Sequence, residues 1–220
     1  MSKVVLDNGL GRVFERLPLA MSIIGKRRSG KSFLLVKMLN SKYFKKKFES
    51  VYIFSPTCML DKTWNDITNK NVIFYDEYDE EIIQNLLKLQ EYKGNEAGQI
   101  LIVLDDFAEK LKSYRGNVLE QLALRGRHYS ASFIFTSQKY NLIPTVIRNN
   151  TDEFIFFKVS NNQELKTIIE EQDNKDLQKI GGFEKLLFDN TKGYDYLVCI
   201  KGKEDVYYRG NELVFKKINM

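Results

Sequence analysis

The chain has 220 residues, 43% of them hydrophobic and 29% charged, and a formal net charge of +5. That length suits one α/β domain rather than two, and that composition is the profile of a globular protein rather than a disordered or membrane one. No apolar run approaches the ~18 residues of a spanning helix, the first residues lack the basic-then-apolar pattern of a secretory leader, and the positive charge favours an anionic partner without identifying it.

In chain order, strand-like and helix-like runs alternate. Residues 19–24 form a short buried strand running into Gly25, and residues 33–39 carry apolar side chains on a helical period that ends near Asn40. Lys42, Lys45, Lys46 and Lys47, interleaved with Tyr43, Phe44 and Phe48, read as a helix end whose cations complement the dipole and whose aromatics pack inward. A phosphate-contacting surface is the alternative. Residues 51–54, closed by Ser55-Pro56, and residues 72–75 are the next strands. The acidic stretch 76–81 marks the start of an amphipathic helix over 80–89. Residues 99–104 have no polar face, the pattern of a central strand covered on both sides.

A helix over 116–124 then precedes strands at 132–136 and 154–158, the second after an Asn149-Asn150 turn. Helices follow at 163–172 and 176–187. The tail reads as three short strands, 196–200, 205–208 and 213–216, interrupted by Gly202 and by Gly210-Asn211, a hairpin signal. Strands alternating with helices point to a sheet with helices on its faces. We expect one domain over residues 1–220, with a core of about 15–190 and a β-hairpin region at about 194–217. Cys58 and Cys199 stand far apart with no His or Cys at ligand spacing, so they read as ordinary buried thiols.

The chemistry begins at Gly25, Lys26, Arg27, Arg28, Ser29, Gly30, Lys31 and Ser32, a complete Walker A loop, with Phe33 opening the helix behind it. Backbone N–H groups can wrap a β-phosphate only where glycines allow the tight path. Lys31 then reaches the β- and γ-phosphates, and the Ser32 hydroxyl suits Mg²⁺. Chance gives such a match in roughly one chain in a hundred of this size, and the strand before it and the helix after it supply the required setting.

The apolar run 100–104 ends in Asp105 and Asp106. We assign Asp105 to the Mg²⁺ shell and Asp106 to polarising the attacking water; many such motors use Glu there, so Asp106 needs a closer water. Gln138, just after the strand 132–136, has the type and place of a γ-phosphate sensor. A cation supplied by a neighbouring subunit is the remaining need, with Arg127 preferred over Arg125 and Arg148. The residues alone reach a Mg²⁺-dependent nucleoside triphosphatase of the additional-strand, RecA-like α/β class, with a mainly parallel sheet and a short antiparallel C-terminal extension.

With these pieces in order, the chain resembles the poxvirus-type genome-packaging ATPases of the FtsK/HerA superfamily, found in large DNA viruses and in virophages. The resemblance rests on the Walker A run, on Phe54-Ser55-Pro56-Thr57, Leu104-Asp105-Asp106, Gly126-Arg127-His128, Thr136-Ser137-Gln138, and Ile143-Pro144 through Arg148-Asn149-Asn150. It covers about residues 15–160 and leaves the last sixty or so without a motif. It implies ATP as the nucleotide and a homo-oligomeric ring, pentameric or hexameric, that moves double-stranded DNA into a preformed capsid. It also implies contacts with viral capsid proteins, and a place in the host cytoplasm or viral factory with virion association. Another DNA-translocating or mobile-element ATPase would share the fold without capsids. A P-loop kinase or switch would need an acceptor pocket and lid, and a structural subunit would bind nucleotide without turning it over.

Overall fold

The computed structural model describes residues 10–107, 118–202 and 204–219. Among these, nine strands form one sheet in the order β3-β2-β4-β5-β1-β6-β7-β8-β9. The strands are β1 (Ala20–Ile24), β2 (Ser50–Phe54), β3 (Val72–Tyr75), β4 (Ile100–Asp105), β5 (Ala131–Ser137), β6 (Glu153–Phe156), β7 (Tyr196–Ile200), β8 (Val206–Asn211) and β9 (Val214–Lys217). Pairings from β3 through to β6 are parallel, and β6·β7, β7·β8 and β8·β9 are antiparallel. The expected mainly parallel sheet with an antiparallel extension is therefore present.

The period-2 geometry of strands divides the core between two faces. Leu101 and Val103 of β4 join Met21, Ile23, Ile134 and Ile155 on the face covered by α1 (Leu10–Val13), α2 (Lys31–Asn40) and α3 (Lys42–Lys47). Ile100, Ile102 and Leu104 join Phe133, Phe135, Phe154 and Phe156 on the other. That second face carries α4 (Glu80–Lys93), α5 (Val118–Arg125), α6 (Thr145–Asn149), α7 (Asn162–Gln172), α8 (Lys175–Lys179) and α9 (Gly182–Asn190). Every residue of β4 is buried, so this is the central strand that its apolar run predicts. Each such aliphatic side chain contributes ~1.5–3 kcal/mol relative to exposure.

Caps explain several boundaries. Asp79 accepts from the N–H groups of Glu81 and Ile82 and starts α4, the role expected of the acidic stretch. Ser41 ends α2 and, by accepting from the Phe44 N–H at 3.2 Å, starts α3. The lysines of α3 form a separate short helix rather than the end of α2, with Phe44 turned inward. Cys58 and Cys199 are both buried free thiols.

Three expectations need correction. The single helix over 176–187 is two, α8 and α9, because the chain turns at Gly181 and Gly182, whose φ values are +106° and +82°. The last hairpin does not turn at Gly210-Asn211, since both lie in β8. Its turn is Glu212-Leu213, with φ of +46° and +67°. Gly210 is there for packing: a Cβ on it would stand 2.1 Å from the Tyr196 ring. Lastly, the strand expected to reach residue 158 ends at Phe156. Of the helix expected over 116–124, residues 116 and 117 lie outside the described residues.

Candidate functional site

Parallel pairing places the C-terminal ends of β1, β2, β4, β5 and β6 along one edge of the sheet. Ile24 pairs with Ser137 and with Phe156, and Asp105 with Thr136. The antiparallel β7 starts at that edge with Tyr196, opposite Gly210 of β8. Loops from distant parts of the sequence therefore meet around a cleft of about 1120 Å³.

The loop over residues 25–32 leaves β1 and turns into α2. The Gly25 N–H donates to the Ser137 carbonyl at 3.1 Å, and the Ser29 N–H to Lys26 O at 3.2 Å. Glycine is required twice: a Cβ at Gly25 would lie 2.5 Å from Ser29 Oγ and 2.7 Å from Phe157 Cβ, and Gly30 has φ of +103°. Lys31 is buried and donates to Gly25 O at 2.7 Å and to Lys26 O at 3.4 Å. Burial lowers its pKa, and the charges of Asp106 and Asp105 work against that.

The acid pair stands beside it. Asp105, 1% exposed, accepts from Thr136 Oγ1 on Oδ1 at 2.6 Å and from Ser55 Oγ on Oδ2 at 2.9 Å. Burial pushes its carboxyl up; the two hydroxyls and Lys31 pull it down. Asp106 sits at φ +55°, a strained conformation for a non-glycine residue, and its N–H donates to Thr136 Oγ1 at 3.2 Å. Gln138 donates from Nε2 to Asp106 Oδ2 at 3.1 Å. The other oxygen, Oδ1, is buried with no hydrogen-bond partner. Lys31, Asp105, Asp106 and Gln138 are thus brought together, and Arg27, Arg28, Ser29, Gly30, Ser32 and Phe33 line the cleft.

Arg127 is elsewhere. It pairs with Asp152 Oδ2 at 3.1 Å, at the opposite, N-terminal edge of the strands, where the Asp152 N–H donates to Ala20 O. Arg148 is held inside its own chain: Nε and NH2 contact both oxygens of Glu171 at 3.0 and 2.8 Å, NH1 donates to Ile143 O, and the guanidinium lies 5.0 Å from the centre of the Tyr140 ring.

Sequence reasoning missed the second wall of the cleft, formed by Phe157, Tyr194, Tyr196, Asn211 and Glu212. No motif marks them; Phe157 reaches the loop through the parallel pairing of β6 with β1, and the other four only through the antiparallel pairing of the tail onto β6. Ser55 and Thr136 were legible as parts of short motifs, but their hydrogen bonds to one carboxylate were not.

The donor set fits a nucleotide with Mg²⁺. Gly25, packed against Ser29 and Phe157, and Gly30, at positive φ, let the loop take a path closed to other residues, and the buried Asp106 Oδ1 is an acceptor without a donor. Among the described residues no cluster of three or more His, Cys, Asp or Glu forms a self-sufficient metal cage. Mg²⁺ is commonly held by one or two protein oxygens together with substrate phosphates, and Ser32 and Asp105 are the residues that would supply them.

Several known proteins are similar to this chain. The genome packaging NTPase B204 from Sulfolobus turreted icosahedral virus 2, solved with sulfate, superposes with a TM-score of 0.60 at 16% identity, covering 87% of this chain and 94% of that one. Its complex with ATP-γS gives 0.57 at 16% identity over 82% and 91%. The cytoplasmic domain of the Thermomonospora curvata Type VII secretion ATPase EccC gives 0.57 at 13% identity, over 86% of this chain and 25% of that one. At those identities the likeness is one of fold, the P-loop NTPase α/β fold. Uncharacterized protein 075L of Invertebrate iridescent virus 6 is 31% identical over 150 residues, which are 66% of this chain and 57% of that protein. The chain thus spans little more than half the length of this curated relative. The family described as Poxvirus A32 protein matches residues 12–180. That match takes in every sequence element of the loop, the acid pair and Gln138, and the chain belongs to the poxvirus A32 protein family.

Proposed function

We propose that this chain is a Mg²⁺-dependent ATPase whose hydrolysis drives double-stranded viral DNA into a preformed capsid. The observation that carries the reading is the meeting of Lys31, Asp105, Asp106 and Gln138 at one edge of the sheet, around a glycine-bearing loop that lines a cleft. Family membership, and the likeness in fold to a genome packaging NTPase, support the packaging role.

In this reading amides of the loop other than those of Gly25 and Ser29, which are bonded to carbonyls of the chain, act with the Lys31 ammonium to neutralise the β- and γ-phosphate oxygens. Ser32 and Asp105 would hold Mg²⁺, which would supply positive charge to the same oxygens. Ser55 and Thr136 hold both oxygens of Asp105, which fixes the direction of its remaining lone pairs. Asp106 orients the attacking water through Oδ1 and accepts its proton. Gln138, tied to Oδ2, registers the loss of the γ-phosphoryl group and shifts the segment after β5. We further propose a homo-oligomeric ring of five or six copies, with Arg127 completing a neighbour's site and capsid proteins as contacts. Residues 1–220 would act as one ATPase domain, working in the host cytoplasm or viral factory and in association with the virion. Among the described residues no helix is long and apolar enough to cross a membrane.

Steady-state ATP hydrolysis with and without double-stranded DNA, with oligomeric state followed in the same samples, tests this. Hydrolysis is expected to rise with DNA, to grow more than proportionally with protein concentration, and to fall about 10²–10³-fold in Lys31→Ala. Turnover by a monomer indifferent to DNA would refute the motor.

A further inference from the structure

The cleft is longer than the phosphate loop, and sheet order divides it. From β1, the acid pair and Gln138 lie on the side of β5 and β4; on the other side come β6, β7 and β8. A nucleoside triphosphate whose γ-phosphate meets Asp106 must carry its nucleoside away from that side. There the cleft continues along Phe157, Tyr194, Tyr196, Asn211 and Glu212.

We infer that this β7–β8 end is the nucleoside subsite and that Tyr194 provides the face on which the base stacks, an inference that rests on the nucleotide reading of the loop. Tyr194 is 73% exposed yet lines the cleft, and a Cβ on Gly30 would stand only 3.7 Å from its Cδ1. Its ring borders the loop itself. Among the described residues no other ring or cation lies over it. The other exposed aromatic of the cleft, Phe33, already faces Lys37 Nζ at 4.4 Å, and that ammonium is tied to Glu212 at 3.2 Å. Phe157 and Tyr196 pack on each other at 5.3 Å and are buried, forming a back wall rather than a stacking face. The wall is braced from behind: Asp195, next to Tyr194, accepts from both Arg209 and Asn211 of β8. An aromatic face that is open, braced and adjacent to a phosphate loop suits a nucleobase, since every base has a π-face.

Binding of ATP and of inorganic tripolyphosphate, each with Mg²⁺, to the whole chain separates base from phosphate contacts. Tyr194→Ala is expected to weaken ATP by roughly 5- to 100-fold and leave tripolyphosphate unchanged, with Tyr194→Phe close to wild type. In Tyr194→Trp the new indole should be quenched by ATP and not by tripolyphosphate, against a single native tryptophan, Trp64, that is buried. Unaltered ATP affinity in Tyr194→Ala, or equal weakening of both ligands, overturns the inference. So does a loss confined to ATP in Phe33→Ala with none at Tyr194. A wild-type chain that binds neither ligand overturns the nucleotide reading itself.

Discussion

Asp105 and Glu153 are two carboxylates buried to the same degree at opposite edges of one sheet, and their partners separate them. Asp105 has a hydroxyl on each oxygen. Glu153, also 1% exposed, has an Oε2 with no hydrogen-bond partner. Burial, then the Asp152 charge, push the Glu153 pKa up to about 8, with Arg16 and Arg127 opposing. A raised folded-state pKa means that the native chain keeps a proton which the unfolded chain releases. Stability from this group therefore falls as pH rises from about 4.5 to about 8 and levels off above. Glu153→Gln carries no charge in either state. It should be on the order of 2–4 kcal/mol more stable than wild type at pH 8 and differ little at pH 4.5. Urea unfolding at the two pH values measures this, and an equal difference at both would refute it. At this scale the sequence marked the residues that touch phosphate, because loop chemistry dictates residue type at fixed spacing. It could not mark Glu153, whose burial depends on the pairing of β6 with β1 and β7.

Most elements were legible because hydrophobic period and caps agree: β1 to β5 and α2, α4 and α7 lie where apolar spacing predicts. The failures occurred where packing chose the residue. Gly210 reads as a turn residue but lies under the Tyr196 ring, and the turn falls to Glu212-Leu213 despite positive φ at both, with Leu213 anchored in the core. Likewise, Arg148 reads as a free cation but ties α6 to α7. Glu171 accepts from Arg148 and from the Tyr140 hydroxyl, and the Tyr140 N–H donates to Glu164 Oε1 at 2.6 Å. Tyr140 follows Gln138 by two residues, so this clamp anchors the far end of the short segment that carries the sensor. Glu171→Ala should cost about 2–3 kcal/mol, because it leaves the Arg148 guanidinium, whose side chain is 10% exposed, without its carboxylate; Arg148→Ala should cost only about 1 kcal/mol, because the Glu171 side chain it leaves is 30% exposed and reaches water. The double variant should cost markedly less than their sum. Arg148→Ala with native stability and lost activity would instead make it a functional cation.

Across the whole molecule, the sheet separates two edges, and Arg127 lies at the wrong one to serve its own chain. The five residues of β1 span about 15 Å between the Asp152 end and the phosphate loop. An arginine side chain does not bridge that distance, so any catalytic role must be toward another subunit. Its pair with Asp152 is exposed on the arginine side and worth at most ~1 kcal/mol, so Arg127→Ala should fold. If Arg127 completes a neighbour's site, Arg127→Ala and Lys31→Ala should each be inactive alone. Mixed in equal amounts, they should recover about a quarter of wild-type turnover, the share of interfaces in a random head-to-tail ring that join an intact loop to an intact arginine. Hydrolysis measured after mixing and reassembly decides it. No recovery from the mixture, or full activity of Arg127→Ala alone, would leave Arg127 as a surface cation paired with Asp152 and return the search to Arg125, the remaining candidate, which has no ion pair among the described residues.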